Sequence, residues 1–263
     1  MSSERFFDLT GRVAIVTGSS RGLGSYMAKS LARAGADIVV TSRDAASLKE
    51  VCDEISAMGR QAMPLELDVM KLDSIERGID AVMERFGRID ILLNNAGCNR
   101  RKKAIDMTLD DWETVVGTDL RGQFFMSTTV AKKAMIPAGY GRVILLGSVT
   151  SYFGYGLIAP YCAARGGIKM LAASLADEWG TLGITVNCIA PGWFHTHQTD
   201  RLFKNDAWRE YLIDRTPLKR VGGPDDLGGA AVFLASEESR FVTGQTLAVD
   251  GGFTTGAVKL SID

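Results

Sequence analysis

The chain has 263 residues, of which 46% are hydrophobic and 23% are charged, a balance that is typical of globular proteins and argues against extended disorder. Its 30 basic and 31 acidic side chains give a net charge of −1, which removes the electrostatic case for a nucleic-acid-binding protein. No apolar run approaches the roughly 18 residues that a membrane-spanning helix needs, and the N-terminus lacks the features of a signal peptide, so we expect a cytoplasmic protein without a membrane partner. The four scattered cysteines predict reduced thiols, and the two histidines, His195 and His197, predict no metal site.

Short apolar, β-branched runs alternate along the chain with longer segments of helical periodicity. The predicted strands cover residues 13–17, 37–41, 62–67, 89–93, 142–146, 184–188 and 246–249. The predicted helices include one from Gly24 to Ala34 and two long ones near 108–135 and 158–180. Nearly continuous apolar strands are typical of a parallel sheet that is covered on both faces. The pattern therefore predicts a single α/β domain over residues 1–263, a doubly wound parallel sheet of about seven strands with ligands at their carboxyl ends.

The least regular part of the chain is the polar and aromatic segment from Gly192 to about Lys219, between the sixth and seventh predicted strands. Long insertions in compact domains are frequently functional, which favours a lid over the site at 192–219. A surface excursion without a function is the alternative.

A glycine-rich turn, from Thr17 to Gly24, follows the first predicted strand and opens the first predicted helix. Glycines allow backbone amides to approach a pyrophosphate, and the helix N-terminus adds a favourable partial positive charge. The order of strand, turn and helix favours a dinucleotide site over a tight turn alone. The residues predicted to hold the dinucleotide are Gly18, Ser20, Arg21, Gly22, Leu23 and Gly24.

The end of the second predicted strand meets the adenosine ribose in such a fold, and an acidic residue there would bind the 2′-hydroxyl. This chain instead has Ser42 and Arg43, with Asp44 just beyond. A guanidinium matches the geometry of a phosphate, and Arg21 in the glycine turn adds a second cation. We therefore expect NADP(H) in preference to NAD(H).

Further motifs follow the glycine turn in a fixed order, namely Asp68-Val69, Asn94 to Gly97, Ser148, Tyr161 and Pro191-Gly192. With them the chain resembles the short-chain dehydrogenases/reductases from about residue 8 to Gly252. The resemblance implies a single Rossmann-type domain, a nicotinamide cofactor and a homotetramer or homodimer. It also implies cofactor contacts near the adenine from Asp68 and Val69, along the cofactor from Asn95, Ala96 and Gly97, and near the nicotinamide from Pro191 and Gly192.

Ser148 and Tyr161 are the predicted catalytic hydroxyls, because a group at a strand end and one at a helix start can converge on one carbonyl oxygen. A phenol ordinarily titrates near pH 10, so acid–base work near neutrality needs a nearby cation. The family places a lysine four residues after the tyrosine, on the same helix face, where this chain has Arg165. Lys169 lies four residues further on, and eight helical residues span about 12 Å, which is too far for it to substitute.

Asp119 is a second departure, because the family usually has asparagine at this position. We expect a buried ion pair between Arg165 and Asp119, with Arg165 also binding the nicotinamide ribose. The pair would weaken the field of Arg165 on Tyr161 and move the pH optimum for oxidation upward. Two alternatives stay open: Asp119 could pair elsewhere, for example with Arg121, or the two changes could leave an impaired catalyst.

The loop at residues 98–103 carries four consecutive cations, which could receive an anionic substrate or form a solvated charge run. Arg100 and Arg101, with residues 230–236 and 247–252, resemble the gluconate 5-dehydrogenase and 2-deoxy-gluconate 3-dehydrogenase branch of the family. This resemblance implies a sugar acid or another anionic sugar as substrate, with Arg100 and Arg101 as the anion contacts. The other candidate substrate contacts are Ser148, Tyr155, Trp193, His195 and His197.

Other functions remain open from the sequence. Basic residues would also suit a 3-oxoacyl thioester on an acyl carrier, and a hydrophobic ketone is a further candidate substrate. The altered Arg165 and Asp119 also allow a non-catalytic NADP(H)-binding or scaffold protein, although the intact glycine turn, Ser148 and Tyr161 favour catalysis.

Overall fold

Seven parallel strands form one central sheet in the computed structural model, which describes residues 6–196 and 199–255. The strands are β1 (Val13–Val16), β2 (Asp37–Ser42), β3 (Ala62–Glu66), β4 (Ile91–Asn94), β5 (Gly141–Leu146), β6 (Ile184–Pro191) and β7 (Thr246–Val249). Their order in space is β3-β2-β1-β4-β5-β6-β7. The winding reverses between β1 and β4, so the crevice at the carboxyl ends of these two strands is the expected ligand site. The predicted doubly wound α/β fold is confirmed.

Helices cover both faces of the sheet. In chain order they are α1 (Gly22–Arg33), α2 (Lys49–Ala57), α3 (Leu72–Phe86), α4 (Leu109–Val116), α5 (Gly122–Val130), α6 (Ile136–Ala138), α7 (Ala159–Trp179), α8 (Asp200–Phe203), α9 (Asp206–Arg215) and α10 (Asp225–Ala235). Side chains of α3, α5 and α7 pack on one face, and those of α1, α2 and α10 pack on the other. Every helix in the described ranges is too short or too polar to cross a membrane.

Successive residues of each strand supply opposite cores. In β1, Val13 and Ile15 join the core under α3, α5 and α7, whereas Ala14 and Val16 join the core under α1, α2 and α10. Because both faces are buried, a strand here needs no polar positions, which explains the continuous apolar runs in the sequence.

The segment predicted as one helix near 108–135 is interrupted twice. A π-helical turn at Gly117–Arg121 separates α4 from α5, and a second one at Ala131–Met135 separates α5 from α6. A π-helical turn inserts one residue into the helical ladder and rotates the side chains that follow it. The prediction of a single regular helix was therefore wrong in this detail, since apolar spacing alone does not reveal a one-residue insertion.

Other element boundaries differ by a few residues from the prediction. The first helix begins at Gly22 rather than Gly24, and β6 extends to Pro191 because it pairs along its length with β5 and β7. The predicted lid at 192–219 contains the short helices α8 and α9. His197 lies outside the described residues.

At Gly183, between α7 and β6, the backbone conformation and the surrounding atoms favour glycine over any other residue. Its φ is +77°, and a Cβ there would collide with the carbonyl oxygen of Gly139. We expect Gly183→Ala to lower the free energy of unfolding by about 2 kcal/mol or more, because alanine must adopt a left-handed conformation against rigid backbone. Urea denaturation measures the change.

The matched control for this prediction is Gly180→Ala, three residues earlier. Gly180 has φ of −56°, and a Cβ added there has no neighbour within 4 Å. The free energy of unfolding of this variant should therefore stay the same or rise slightly. Equal stabilities of the two variants would contradict the role of Gly183.

Candidate active site

Three elements bring the predicted catalytic residues to the carboxyl edge of the sheet. Ser148 follows β5 after a single glycine and is buried. Tyr161 and Arg165 lie in the first two turns of α7, one helical turn apart and on the same face. Asp119 lies in the π-helical turn between α4 and α5 and is fully buried. π-helical turns are frequent at functional sites, because the inserted residue redirects its side chain.

Arg165 and Asp119 form the buried ion pair that the sequence predicts. The Nη2 atom of Arg165 lies 2.8 Å from Oδ2 of Asp119, and the two side chains are 4% and 0% exposed. The contact is an ion pair rather than an aligned hydrogen bond. The other carboxylate oxygen, Oδ1, accepts a hydrogen bond of 2.7 Å from the backbone N–H of Cys98. The alternative partner, Arg121, pairs instead with Glu113, 3.5 Å away.

Arg165 is also fixed to β5 and to Tyr161. Its Nη1 donates a hydrogen bond to the carbonyl oxygen of Leu146, the last residue of β5. Its guanidinium carbon lies 4.8 Å from the ring centroid of Tyr161. The contacts with Asp119 and with the Leu146 carbonyl therefore hold the positive charge of Arg165 next to the Tyr161 ring. The Nζ of Lys169 instead lies 4.6 Å from the ring centroid of Tyr152.

Burial and charge act in opposite directions on this pair. Burial raises the pKa of Asp119 to about 6, although Arg165 and the Cys98 N–H act to lower it. Burial alone would lower the pKa of Arg165, but the charge of Asp119 and the phenol of Tyr161 raise it above its ordinary value. Arg165 is consequently always charged, while Asp119 loses its charge as the pH falls through about 6.

Glycine at position 97 makes space for the ion pair. A Cβ at Gly97 would collide with Nη2 of Arg165 and would come within 3.4 Å of both carboxylate oxygens of Asp119. The sequence assigned Gly97 to the cofactor, and the structure shows in addition that a larger residue would displace the guanidinium.

Two side chains that the sequence analysis missed complete the support. Gln123, one turn after Asp119, donates to the carbonyl oxygens of Asp119 (2.9 Å) and Leu146 (3.1 Å) and accepts from the Leu146 N–H. The hydroxyl of Ser151 donates to the carbonyl oxygen of Arg165 at 2.7 Å. The i+4 spacing of Gln123 from Asp119 was a usable signal, whereas nothing local indicated Ser151.

The glycine turn is shaped to receive a phosphate group. Gly18 and Gly22 both have φ of +60°, and a Cβ at Gly24 would collide with Asn95 and with the Gly18 carbonyl. The side chain of Asn95 donates to the carbonyl oxygens of Thr17 and Gly18. Helix α1 has no side-chain cap and no acidic residue in its first turn. The positive end of the helix therefore faces a cradle without competing charge, which fits a dinucleotide pyrophosphate.

The remaining predicted cofactor residues surround this turn. The Thr17 hydroxyl accepts from the N–H groups of Asn95 and Ala96, so both residues help to fix the turn. Arg21, at the start of α1, is exposed, and Ser20 and Leu23 are partly buried.

At the end of β2, Ser42 is partly buried and Arg43 is exposed. The carboxylate of Asp44 accepts from the Ala46 N–H at 3.0 Å and caps a short 3₁₀ helix, so it is already committed to the backbone.

Other predicted cofactor residues lie at the ends of β3 and β6. Asp68 accepts from the Met70 N–H at 3.0 Å, and Val69 packs where Gly122 leaves space on α5. Pro191 ends β6, and the Gly192 N–H donates to Val249 of β7 at 2.9 Å.

The basic loop is less uniform than its sequence suggests. The Nζ of Lys102 lies 2.5 Å from the carboxylate of Asp111. Hydrogen bonds from Lys102 and Thr108 lower the pKa of Asp111 to about 2. The Nε of Arg100 lies 3.9 Å from the same carboxylate. Arg101 instead lies over the Tyr155 ring, 6.0 Å from its centroid, and has no carboxylate partner within residues 6–196 and 199–255. The structure therefore leaves Arg101 as the better placed of the two predicted anion contacts.

Tyr155 and Trp193 lie together in an aromatic cluster, with ring centroids 5.9 Å apart. Its third member, Trp208 of α9, was not predicted from the sequence; its ring centroid lies 5.8 Å from that of Tyr155 and 5.4 Å from that of Trp193. The ring of exposed His195 instead contacts Asp200 (3.1 Å) and Phe203.

Comparisons with known proteins place this geometry in a family. The model of a family described as enoyl-(acyl carrier protein) reductase matches residues 18–254. Gluconate 5-dehydrogenase of Gluconobacter oxydans is 41% identical over 97% of this chain and 99% of that protein. The 2-dehydro-3-deoxy-D-gluconate 5-dehydrogenase of Escherichia coli is 39% identical over 94% and 97%, respectively.

A solved structure agrees with these sequence matches. The gluconate 5-dehydrogenase of Burkholderia cenocepacia, in complex with NADP and tartrate, has a TM-score of 0.92 and 40% identity, and the match covers 95% of this chain and 98% of that one. The resemblance drawn from the motifs is confirmed: the chain belongs to the short-chain dehydrogenases/reductases and is an oxidoreductase.

Proposed function

We propose that the protein is an NADP(H)-dependent oxidoreductase that interconverts a secondary alcohol and a ketone on a sugar acid or a similar anionic sugar. The observation that carries the catalytic part is the buried guanidinium of Arg165, held 4.8 Å from the Tyr161 ring. A permanent cation at this place supports proton transfer by the phenol, which is why we favour a working enzyme over a binding protein.

Tyr161 and Ser148 act on the substrate oxygen. The phenol of Tyr161 donates a proton to the carbonyl oxygen during reduction and accepts one from the alcohol during oxidation. The Ser148 oxygen accepts from the Thr150 N–H at 3.2 Å, which leaves its hydroxyl proton free to hydrogen-bond the same substrate oxygen. The nicotinamide, when bound, supplies or accepts the hydride.

Arg165 orients the cofactor and assists Tyr161. Its Nε is buried and has no hydrogen-bond partner among the described residues, so one donor remains for a ribose hydroxyl. Asp119 acts as a positioning residue, because it compensates the buried charge of Arg165 and is itself fixed by the Cys98 N–H.

The preference for NADP(H) rests on the charge at the end of β2. Arg43 and Arg21 are both exposed, and Asp44 is committed to its cap. A 2′-phosphate would meet two cations and the Ser42 hydroxyl, whereas a 2′-hydroxyl would meet only the carboxylate of Asp44, one oxygen of which already accepts from the backbone. The NADP in the related Burkholderia structure supports this assignment.

The anionic substrate rests on Arg101 and on the relatives. Arg101 has no carboxylate partner in the described ranges and lies over Tyr155, a predicted wall of the pocket. The relatives from Gluconobacter oxydans and Escherichia coli carry the names of sugar-acid dehydrogenases. We place the substrate under the lid at 192–219.

A homotetramer or homodimer completes the proposal. Its support is a set of exposed apolar side chains on the helices after β4 and β5, namely Leu109, Trp112, Phe124 and Met170.

Tyr161→Phe should lower kcat about 100- to 10,000-fold and leave the Kd for NADPH unchanged, because it removes the hydroxyl that transfers the proton and keeps the ring. The measurement is NADPH oxidation with keto-sugar acids, neutral ketoses and acyl ketones, together with NADPH titration. Undiminished turnover in this variant would contradict the assigned role. No turnover by the wild type on the whole panel, with NADPH bound, would favour a binding protein.

Asp119→Asn should lower the pH optimum for alcohol oxidation by about one unit, since removal of the carboxylate strengthens the field of Arg165 on the phenol. The measurement is a pH–rate profile of the wild type and the variant. Glu113→Gln, an exposed carboxylate-to-amide change one and a half turns earlier, is the control and should leave the profile in place.

Thermal unfolding provides a second readout for Asp119. A carboxyl whose pKa is raised in the folded protein contributes most to stability below its ordinary pKa near 4, and this contribution is lost as the pH rises through about 6. The Tm of the wild type should therefore fall relative to that of Asp119→Asn between pH 4 and 6. If the wild type and Asp119→Asn had parallel pH profiles of both rate and Tm, the coupling between Asp119 and Tyr161 would be refuted.

Arg43→Ala should raise the KM for NADPH about 10- to 100-fold and leave the KM for NADH nearly unchanged, because the lost charge-assisted hydrogen bond is worth roughly 1.5–3 kcal/mol. Arg77→Ala, which removes an exposed arginine of α3, is the matched control. An equal effect on both cofactors would contradict the phosphate contact.

A further inference from the structure

The aromatic cluster of Tyr155, Trp193 and Trp208 is packed in perpendicular pairs. The ring centroids lie 5.4–5.9 Å apart, and the interplanar angles are 67°, 87° and 84°. Edge-to-face packing fixes each ring and thereby fixes the direction of each indole N–H. The cluster is a rigid group and not a collection of independent side chains.

The two indole N–H groups of this cluster are buried without an acceptor. The Nε1 atoms of Trp193 and Trp208 have no hydrogen-bond partner within residues 6–196 and 199–255. Trp179, by comparison, donates its Nε1–H to Glu178 at 3.2 Å. Indole is a donor only, and buried donors in native proteins are normally satisfied, so two neighbouring unsatisfied ones point to an acceptor from outside the chain.

Two arginines lie beside the cluster. Arg101 lies over Tyr155 at 6.0 Å, and Arg215 lies over Phe253, 4.9 Å from its centroid. Phe253 in turn packs against Trp193 at 6.3 Å. Within the described residues, neither arginine is in an ion pair with a carboxylate. The cluster thus offers donors and positive charge, which an acceptor-only anion complements.

The loops that carry the cluster also border the catalytic residues. The Lys102 N–H donates to the Leu157 carbonyl at 2.9 Å, which joins the loop of Arg101 to the loop of Tyr155. The Tyr155 N–H donates to the Sγ of Cys162 at 3.3 Å, one residue after Tyr161. Trp193 lies two residues after Pro191, the last residue of β6. The cluster is therefore attached to the same edge of the sheet as the predicted catalytic hydroxyls.

We propose that Trp193 and Trp208 are specificity-determining residues that bind the carboxylate of the substrate through their Nε1–H groups, with Arg101 supplying the opposite charge. This inference rests on the proposed function, since it assumes that the anion is that of a sugar acid. A hydrophobic ketone would contact the aromatic rings but would leave both donors unpaired. An anionic group satisfies the donors and the charge together.

Binding of a matched pair of probes to the NADPH-loaded protein tests this subsite. D-gluconate and D-sorbitol share a carbon chain and differ at one end, where a carboxylate replaces a hydroxymethyl group. Both are in the alcohol form, so NADPH does not react with them during isothermal titration calorimetry. We expect the wild type to bind gluconate at least tenfold more tightly than sorbitol.

Trp193→Phe and Trp208→Phe keep an aromatic ring and remove only the N–H and the second ring. Each should weaken gluconate binding about 5- to 20-fold and change sorbitol binding by less than twofold. Arg101→Gln, at an exposed position that cannot disturb the core, should remove most of the preference for gluconate. Arg77→Gln on α3, which makes the same chemical change as Arg101→Gln at an exposed position outside the cluster, should change neither affinity.

Several results would overturn the inference. The inference fails if both tryptophan variants bind gluconate as tightly as the wild type does. It also fails if they lose the same affinity for gluconate and for sorbitol, because such a loss indicates a packing role alone. Tighter binding of a hydrophobic ketone than of gluconate to the wild type would also exclude the subsite. Selective gluconate binding without turnover of any sugar acid would instead retain the subsite and reject the proposed catalysis, so the two failures are distinguishable.

Discussion

The buried charge of Arg165 is the constraint on which the rest of the site depends. A guanidinium that is 4% exposed needs a compensating charge and acceptors for its N–H groups, and Asp119 and the Leu146 carbonyl provide them. Asp119 in turn requires the Cys98 N–H, and the whole arrangement requires glycine at position 97. One ion pair therefore connects the end of β5, the loop after β4, the π-helical turn and α7.

This dependence explains why two departures from the family pattern occur together. A lysine with an asparagine places one compact charge beside a neutral amide, whereas Arg165 and Asp119 place a broad cation beside an anion. Exchanging either residue alone would leave a buried charge without its partner. The resemblance to the family extends over the fold and the hydroxyl groups, while the electrostatic environment of Tyr161 differs from the usual family pattern.

The sequence was sufficient for the sheet and the glycine turn, because each follows from a local pattern. The ion pair was expected from the resemblance to the family, since Arg165 and Asp119 stand where the family has lysine and asparagine. The neutralisation of Lys102 by Asp111 and the place of Trp208 were not predictable in this way. Both depend on how a loop folds back on a neighbouring element, and no periodicity records that. The π-helical turn at Asp119 was missed for a related reason, since an inserted residue changes hydrogen bonding without changing composition.

The cofactor side and the substrate side of the site are supported in different ways. Asn95 and Thr17 tie the glycine turn directly to the sheet, so a change there would disturb the core. The aromatic cluster is carried by the loops after β5 and β6 and by α9, and Arg101 is carried by the loop after β4. The hydrogen bond between Lys102 and Leu157 joins the loops after β4 and β5. These loops can change without altering strand register, because their backbone lies outside the ladder. Under the proposed function, substrate choice can therefore vary through Arg101, Trp193 and Trp208 while the hydride and proton chemistry stays in place.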